Sequence, residues 1–432
     1  MNRSEKDNQK NIWQQWMPLA FSTSILYIEI PVMLLLIARM PDGTENILAF
    51  NMGLGYIFIL NSTVQFITSV STKLSENFPS FYRVLLFSLL YSAAIVVIGY
   101  VCLFSPLFEG VFRYIVPIND PKTLELIKTG CLVLSTAPVA VAWRRVYQGL
   151  WIRREKTSVV TLASFIRLIS GITIAGILFL LGIVDGVLLG ALALVISAFI
   201  EAFVLTVWKT ETKNELPAAG EKITFSSFWK SHFPLAVAAL LLTLDIPLFL
   251  VGIGHAPTRV EESLVVWQIV LSFVYMVSGP LEELQNVTIH EGRNHNMTAS
   301  LKRFSLAAGC FFSALLVIVA STPLGGWYYV RMMGLETHYS DLAAQTTFLL
   351  IGIPFLTSVL SVLRGRLVLL EKEKVVERVM YLNIGILALC LALLNSFSPL
   401  AGAYIAALAL TTALIIQSLT LYGSLHRNIR KQ

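Results

Sequence analysis

The sequence predicts an all-α, polytopic membrane protein of twelve transmembrane helices, arranged as two six-helix repeats. Hydrophobic residues make up 56% of the 432 residues and charged residues only 13%, and the mean hydropathy is +0.73. An ordinary soluble domain carries roughly 25% charged residues. A spanning helix needs about 20 mostly apolar residues, and the chain contains twelve such stretches. Composition therefore excludes a soluble globular protein.

An internal repeat is the second basis for this fold class. The stretch from Trp13 to Pro31, WQQWMPLAFSTSILYIEIP, recurs 216 residues later as WKSHFPLAVAALLLTLDIP, from Trp229 to Pro247. Gly149 and Gly365 obey the same offset, and twice 216 is the chain length. A unit of this length is far longer than a solenoid repeat of about 20–50 residues. The sequence therefore predicts two whole bundles, 1–210 and 228–432, joined by a cytoplasmic linker at 211–227.

The apolar stretches give the helices in chain order. The first half has helices at 14–38, 46–72, 81–104, 123–143, 157–181 and 186–208. The second half has helices at 229–252, 262–289, 301–321, 340–363, 375–394 and 398–424. Six is an even number, so both halves enter the membrane from the same side. Such parallel repeats are related by a pseudo-two-fold axis along the membrane normal.

The positive charges predict the orientation. Of the 32 lysines and arginines, 25 fall in the termini and loops of one side and 6 on the other. Positively charged loops remain in the cytoplasm. We therefore expect both termini to be cytoplasmic, in a multi-pass protein of a bacterial inner membrane. The basic clusters follow from this topology, and we expect no nucleic-acid partner.

Several classes of chemistry lack a sequence signal. No GxxxxGK[ST] loop is present, so ATP hydrolysis and other enzymatic activity are not expected. The four cysteines lie in four different apolar stretches, a spacing that predicts neither a disulfide framework nor a metal site. We expect no cofactor beyond a coupling H⁺ or Na⁺. The expected partners are the lipid bilayer and a small-molecule substrate, and the expected state is a monomer.

An acidic residue lies deep in the first helix of each half. Glu29 is about 22 Å along helix 1, at 1.5 Å per residue, and Asp245 repeats its position in helix 7. Ionisable groups inside a bilayer are costly and by default indicate function. Pro31 and Pro247 follow two residues later and favour a kink. We predict hinges there and a coupling-ion role for the carboxylates, near the cleft between the halves; hydrogen bonding within one bundle is the alternative.

Further polar groups are candidates for a substrate cavity. Arg167 and Glu201 lie on adjacent helices and are replaced together by uncharged residues in the second repeat, which predicts an ion pair of structural or functional role. In helix 2, Asn61 and Gln65 share a face, and Asn51 lies on the same helix. These amides either line the cleft or bond neighbouring helices.

Helix 8 contains a Gly-Pro pair followed by a polar run. Gly279 and Pro280 permit a hinge. The polar residues after it are Glu282, Glu283, Gln285 and Asn286. Glu283 and Asn286 are three apart and share a helix face. The run either lines the cavity or marks the point where the helix leaves the membrane.

Two six-helix halves with equivalent helices 1 and 7 resemble the multidrug/oligosaccharidyl-lipid/polysaccharide (MOP) exporter superfamily. The run GPLEELQNV, from Gly279 to Val287, is similar to a GPxxDxxNV run of the progressive ankylosis protein family. The stretch SFWKSHFPLA, from Ser227 to Ala236, looks like that family's SFWWPLAL stretch. The resemblance implies alternating-access export of small polyanions of the pyrophosphate, citrate or nucleotide class.

The residues themselves leave other substrates open. The family has Arg-Pro where this chain has Ile246-Pro247, and among the deep acids Arg167 is the only cation predicted. These charges favour an H⁺- or Na⁺-coupled carrier of cationic compounds. Glu29 also resembles the coupling acid of multidrug and toxic compound extrusion (MATE) transporters. A lipid-linked sugar flippase and a non-transporting membrane scaffold are further alternatives; a scaffold would not need so many buried charges.

Overall fold

The chain folds as a set of helices, as a computed structural model shows for residues 3–110, 120–154, 156–208, 217, 220–291 and 297–429. In these ranges the helices are α1 Arg3–Ile37, α2 Gly43–Gln65, α3 Ile67–Leu74, α4 Phe78–Phe104, α5 Pro106–Gly110, α6 Pro121–Leu134, α7 Ala137–Arg153, α8 Thr157–Leu181, α9 Gly186–Val207, α10 Phe225–Thr243, α11 Asp245–Gly254, α12 Val260–Ser278, α13 Leu284–Glu291, α14 Met297–Ser321, α15 Pro323–Gly326, α16 Ser340–Leu349, α17 Ile353–Leu369, α18 Glu373–Phe397 and α19 Gly402–Ile429.

The helices are long and apolar enough for a multi-pass membrane protein. Within the described residues, eleven helical segments meet the length and hydropathy of a membrane span, and the apolar part of α1, Tyr27–Ile37, is a shorter twelfth. This agrees with the predicted twelve-helix, two-repeat fold class. The described part of the predicted linker includes Pro217, whose carbonyl oxygen accepts a hydrogen bond of 3.0 Å from the backbone N–H of Phe78. Residues 211–216, 218 and 219 of that linker lie outside the described residues.

The sequence repeat is also a repeat of helix boundaries. Helices α7 and α17 begin and end 216 residues apart, and so do α8 and α18. The starts of α9 and α19 differ by the same number. The three last helices of each half therefore begin at equivalent residues.

Several predicted spans are divided into two helices, and proline explains the clearest case. Helix 4 is split between α6 and α7, and helix 10 is split between α16 and α17. Pro138 and Pro354 lie in the first turn of α7 and α17. Proline has no N–H to donate to the residue four positions earlier. The series of helical backbone hydrogen bonds therefore stops near Leu134 and Leu350, at equivalent places in the two repeats.

Two equivalent glycines allow helices to pack backbone to backbone. A Cβ atom at Gly149 of α7 would lie 2.5 Å from the carbonyl oxygen of Thr68 in α3. A Cβ atom at Gly365 of α17 would lie 2.8 Å from the carbonyl oxygen of Gln285 in α13. In the first repeat, the hydroxyl of Thr72 also donates to the carbonyl oxygen of Gly149 at 3.1 Å. Only glycine fits at these two contacts.

The contacts divide the chain into two compact units. The central unit is Val32–Leu250, and the split unit combines Met1–Pro31 with Val251–Gln432. This division differs from the predicted halves, because helix α1 packs with the second repeat as far as Pro31. Helix α10 packs with the first repeat, where Phe228 joins a buried cluster with Phe81 and Trp151. In the split unit, Trp16 belongs to a buried cluster with Leu281 and Leu284.

Candidate functional site

A buried carboxylate in the central unit collects four hydrogen-bond and ion-pair partners. Glu201 of α9 is 0% exposed. Its Oε2 atom lies 2.5 Å from Nη1 of Arg144 and 3.5 Å from Nε of Arg167. Its Oε1 atom accepts hydrogen bonds from Nε2 of Gln148 at 3.0 Å and from the Ser164 hydroxyl at 2.9 Å. Each carboxylate oxygen therefore has two partners.

Arg145 extends this network without reaching the carboxylate. Its Nη1 donates to Oε1 of Gln148 at 3.1 Å, and Gln148 in turn donates to Glu201. Within the described residues, no carboxylate lies within 4 Å of Arg145, and its buried Nε has no hydrogen-bond partner. We call Arg144, Arg145, Gln148, Ser164, Arg167 and Glu201 the Glu201 cluster.

The cluster confirms one prediction and corrects another. Arg167 and Glu201 form the predicted ion pair. The prediction that Arg167 is the only deep cation is wrong, because Arg144 and Arg145 lie in the middle of α7 and not in a loop after residue 143. The internal repeat could have revealed these arginines. The offset of 216 maps them onto Leu360 and Ser361, inside the apolar stretch of predicted helix 10, which indicates that they also lie within a spanning helix.

The cluster lies at a consistent depth in its helices. Arg144, Arg167 and Glu201 are each about 9–15 Å, at 1.5 Å per residue, from the helix ends at residues 153, 157 and 207. All three ends are on the predicted cytoplasmic side. A hydrocarbon core is about 30 Å thick. The cluster is thus at most halfway across, where an ionised group needs a partner or a polar cavity.

A second polar site lies in the split unit, within the predicted span 262–289 (helix 8 of the sequence prediction), where the helix geometry changes. The segment Gly279–Glu283 is a 3-10 helix between α12 and α13, so the predicted Gly279-Pro280 interruption is present. The ring of Tyr27 packs directly on Gly279, where a Cβ atom would lie only 2.3 Å from it. The hydroxyl of Tyr27 donates to Oε2 of Glu282 at 3.0 Å. Helix α1 is thereby fixed to the interruption.

The remaining residues of the helix 8 run are distributed over the same site. Asn286 donates from Nδ2 to Oε2 of Glu283 at 2.7 Å, which confirms that the two side chains share a face. Gln285 is half-buried, and its carbonyl oxygen faces Gly365. Arg364 of α17 is close enough to Glu282 to act on it electrostatically. Arg364 is not among the predicted site residues, because it follows the predicted end of helix 10 at residue 363.

The Trp16 side chain provides a direct test of how α1 is held. Its indole N–H donates to the carbonyl oxygen of Pro280 at 2.9 Å, in a buried hydrogen bond, and its ring packs on Phe304 and Phe312. Trp16→Phe keeps an aromatic ring and removes the donor. We expect the free energy of unfolding to fall by about 1–3 kcal/mol, since a buried carbonyl loses its partner. Unfolding in a denaturant titration measures this; an unchanged midpoint would show that the bond contributes nothing.

The two predicted coupling carboxylates lie in different units. Glu29 belongs to the split unit and is 4% exposed. Asp245 belongs to the central unit, is half-buried, and accepts a hydrogen bond from the N–H of Ile246 at 2.8 Å. Helix α1 continues through Pro31, whereas the chain is divided between α10 and α11 two residues before Pro247. Their meeting at a cleft stays a prediction.

The polar side chains of helix 2 differ in their burial. Asn51 is buried in α2, at 2% exposure. Asn61 is half-buried, and Gln65 is exposed at the last residue of α2. Within the described residues, the hydrogen bonds to Glu201 come from Arg144, Gln148 and Ser164, and none comes from Asn61 or Gln65. Their role in lining a cavity stays a prediction.

Comparison with solved structures identifies the fold. The chain is similar to the lipid II flippase MurJ in an inward closed conformation, with a TM-score of 0.71 and 15% identity over 94% of this chain and 86% of that one. It is similar to the Vibrio cholerae MATE transporter VcmN, with a TM-score of 0.64 and 14% identity over 100% and 99% of the two chains.

A third similar structure is a MOP-superfamily transporter from Pyrococcus furiosus, whose binding pocket is described as having reverse polarity. Its TM-score is 0.63, at 13% identity over 98% of this chain and 96% of that one. No protein-family model and no curated protein matches the chain. The fold is therefore that of MATE and MOP-superfamily transporters, and the comparisons give no support to the progressive ankylosis attribution.

Proposed function

We propose that the chain is a secondary-active transporter that exports a small solute by alternating access. The observation that carries the proposal is the presence of ionisable side chains inside spanning helices that do not need them to fold. The second repeat builds the equivalent helices α17, α18 and α19 with Leu360, Asn383 and Gln417 where the first has Arg144, Arg167 and Glu201. Charges that folding does not require are best explained by a ligand or an ion.

Interrupted helices support the same function. Transporters with internal repeats form their sites at discontinuous helices, and one bundle rocks or gates against the other. Here the interruptions after α6 and α16 occur at equivalent places, and the Gly279–Glu283 segment divides helix 8. The similarity to MATE transporters supports an export direction, and a ligand or ion would bias the two states through its different affinity for each.

In this proposal, Glu29 and Asp245 couple the movement of the solute to an ion gradient. A carboxylate that binds H⁺ or Na⁺ in one state only would link solute movement to the ion gradient. The test uses proteoliposomes loaded with labelled citrate, pyrophosphate or a cationic dye, with imposed pH or Na⁺ gradients. We expect Glu29→Gln with Asp245→Asn to abolish the stimulation by the gradient, because neither amide titrates. Gradient-dependent flux that is unchanged in this double variant would contradict the coupling role.

A coupled extruder of cationic compounds is the second candidate. The acidic residues of the split unit favour it, since Glu282 and Glu283 lie at the helix 8 interruption with Glu29 elsewhere in the same unit. A flippase for a lipid-linked sugar is supported by the similarity to MurJ. In the proteoliposome assay, dye flux without anion flux would favour the extruder of cationic compounds. Movement of labelled lipid without solute flux would favour the flippase.

A further inference from the structure

The Glu201 cluster carries more positive charge than its own carboxylate can balance. It contains three guanidinium groups and one carboxylate, so its net charge is 3 − 1 = +2. The charges that act on Arg145 are Glu201, which attracts it, and Arg144 and Arg167, which repel it. Arginine remains protonated in proteins. The three guanidinium groups therefore leave the cluster with a surplus of positive charge.

Both oxygens of Glu201 already have partners other than Arg145. Its two oxygens are occupied by Arg144, Arg167, Gln148 and Ser164. Arg145 is left with the amide oxygen of Gln148 and a buried Nε that has no partner among the described residues. A guanidinium presents its N–H groups as a planar fork that matches carboxylate and phosphate oxygens. A carboxylate or phosphate group would match the N–H groups of Arg145 that Gln148 does not use.

The repeat argues against a purely structural role for this charge. The equivalents of Arg144, Arg145 and Glu201 in the second repeat are Leu360, Ser361 and Gln417, and all three are buried there. The two equivalent helices, α17 and α19, therefore pack with neutral residues at these positions. Of the residues equivalent to the six cluster members, only Arg364, at the position of Gln148, is charged, so the carboxylate and the surplus of +2 are confined to the first repeat, as expected for a site that one repeat keeps for a ligand.

We infer that the Glu201 cluster is an anion-binding site, in which Arg145 contacts a carboxylate or phosphate group and Glu201 holds Arg144 and Arg167 in place. That this anion site binds the transported substrate rests on the proposed transport function. A net charge of +2 favours ligands with two or more negative charges over monovalent anions and repels cationic compounds. The ligand chemistry is shared by two sources, a free polyanionic solute and the phosphate headgroup of a lipid-linked compound.

The test is calorimetric titration of the full chain in lipid nanodiscs. The probes are inorganic pyrophosphate, citrate, farnesyl diphosphate as a lipid-linked diphosphate, and acetate as the monovalent control. We expect binding of the multivalent probes and weaker binding of acetate. Arg145→Ser, which introduces the residue of the second repeat, should weaken pyrophosphate affinity about 10- to 100-fold, the range for a hydrogen bond to a charged group. Tighter binding of farnesyl diphosphate than of pyrophosphate would assign the lipid-linked source.

Two further variants keep the test independent of folding defects. Arg145→Lys retains the charge and loses the fork, so its affinity should lie between those of the wild type and Arg145→Ser. Arg83→Gln removes an exposed arginine of the same unit and should bind like the wild type. Affinity within twofold of the wild type in a folded Arg145→Ser variant, or no anion binding by the wild type, would overturn the inference.

The anion site and the transport function can fail separately. If proteoliposomes move a cationic dye and the protein binds no anion, the transport proposal stands and the anion site is wrong. If anions bind in an Arg145-dependent manner but no solute or lipid crosses the membrane, the anion site stands and the transport proposal is wrong.

Discussion

Glu201→Ala should lower the free energy of unfolding by about 3–5 kcal/mol, the usual cost of removing one partner of a buried ion pair. The substitution leaves Arg144, Arg145 and Arg167 together among spanning helices with no carboxylate. Gln148 and Ser164 would also lose their acceptor. Denaturant titration of the purified protein, followed by tryptophan fluorescence, measures the change.

The second repeat supplies the control for this prediction. The combination of Arg144→Leu, Arg145→Ser, Arg167→Asn and Glu201→Gln reproduces the neutral residues found there. Because it removes the cations along with the carboxylate, this variant should be more stable than Glu201→Ala alone. If Glu201→Ala unfolds at the wild-type denaturant concentration, the arginines must find other compensation, and the description of the cluster as a buried ion-pair network would be wrong.

Gly149→Ala should destabilise the central unit by about 1–3 kcal/mol, the usual cost of overpacking a core. The new Cβ atom would lie 2.5 Å from the carbonyl oxygen of Thr68 and 2.9 Å from the backbone nitrogen of Thr72. These are backbone atoms, so no side chain can rotate away and α7 must move off α3. That movement also stretches the hydrogen bond from the Thr72 hydroxyl to the Gly149 carbonyl oxygen.

A matched glycine separates crowding from helix propensity. Gly176 lies in α8 with no atom within 4 Å of the position of a Cβ. Gly176→Ala should leave the unfolding midpoint unchanged or raise it slightly, since alanine is the better helix former by up to about 1 kcal/mol. Equal effects of the two substitutions would mean that α7 and α3 are not held at glycine contact distance.

The fold was largely predictable from two independent observations, since hydropathy predicts the spanning helices and the repeat predicts their arrangement in two halves. The predicted bounds 157–181 agree with those of α8. The division at α6 and α7 was not predicted, although Pro138 marked it. An apolar stretch continues through a proline without any change in hydropathy, so a hydropathy pattern alone cannot locate an interruption. The membership of α1 in the split unit was also unpredictable, since it depends on packing between distant residues.

The candidate site was predictable only where the repeat exposed it. Arg167 and Glu201 were recognisable as a pair because both charges are absent from Asn383 and Gln417. Arg144 and Arg145 follow a hydrophobic run, where basic residues usually mark a loop on the cytoplasmic side. The bond from Tyr27 to Glu282 joins residues 255 positions apart, and nothing in the local pattern of either residue indicates the other.

The assignment of Met1–Pro31 to the split unit has a consequence for biogenesis. A chain is synthesised from its N-terminus, and non-local contacts must wait until both partners exist. The partner of Trp16 is Pro280, 264 residues later, so the first helix enters the bilayer long before its binding surface is made. The central unit, whose residues are contiguous, is complete once residue 250 has emerged. During synthesis the first helix therefore waits without its packing partners until the second repeat has been made, and it then folds together with that repeat.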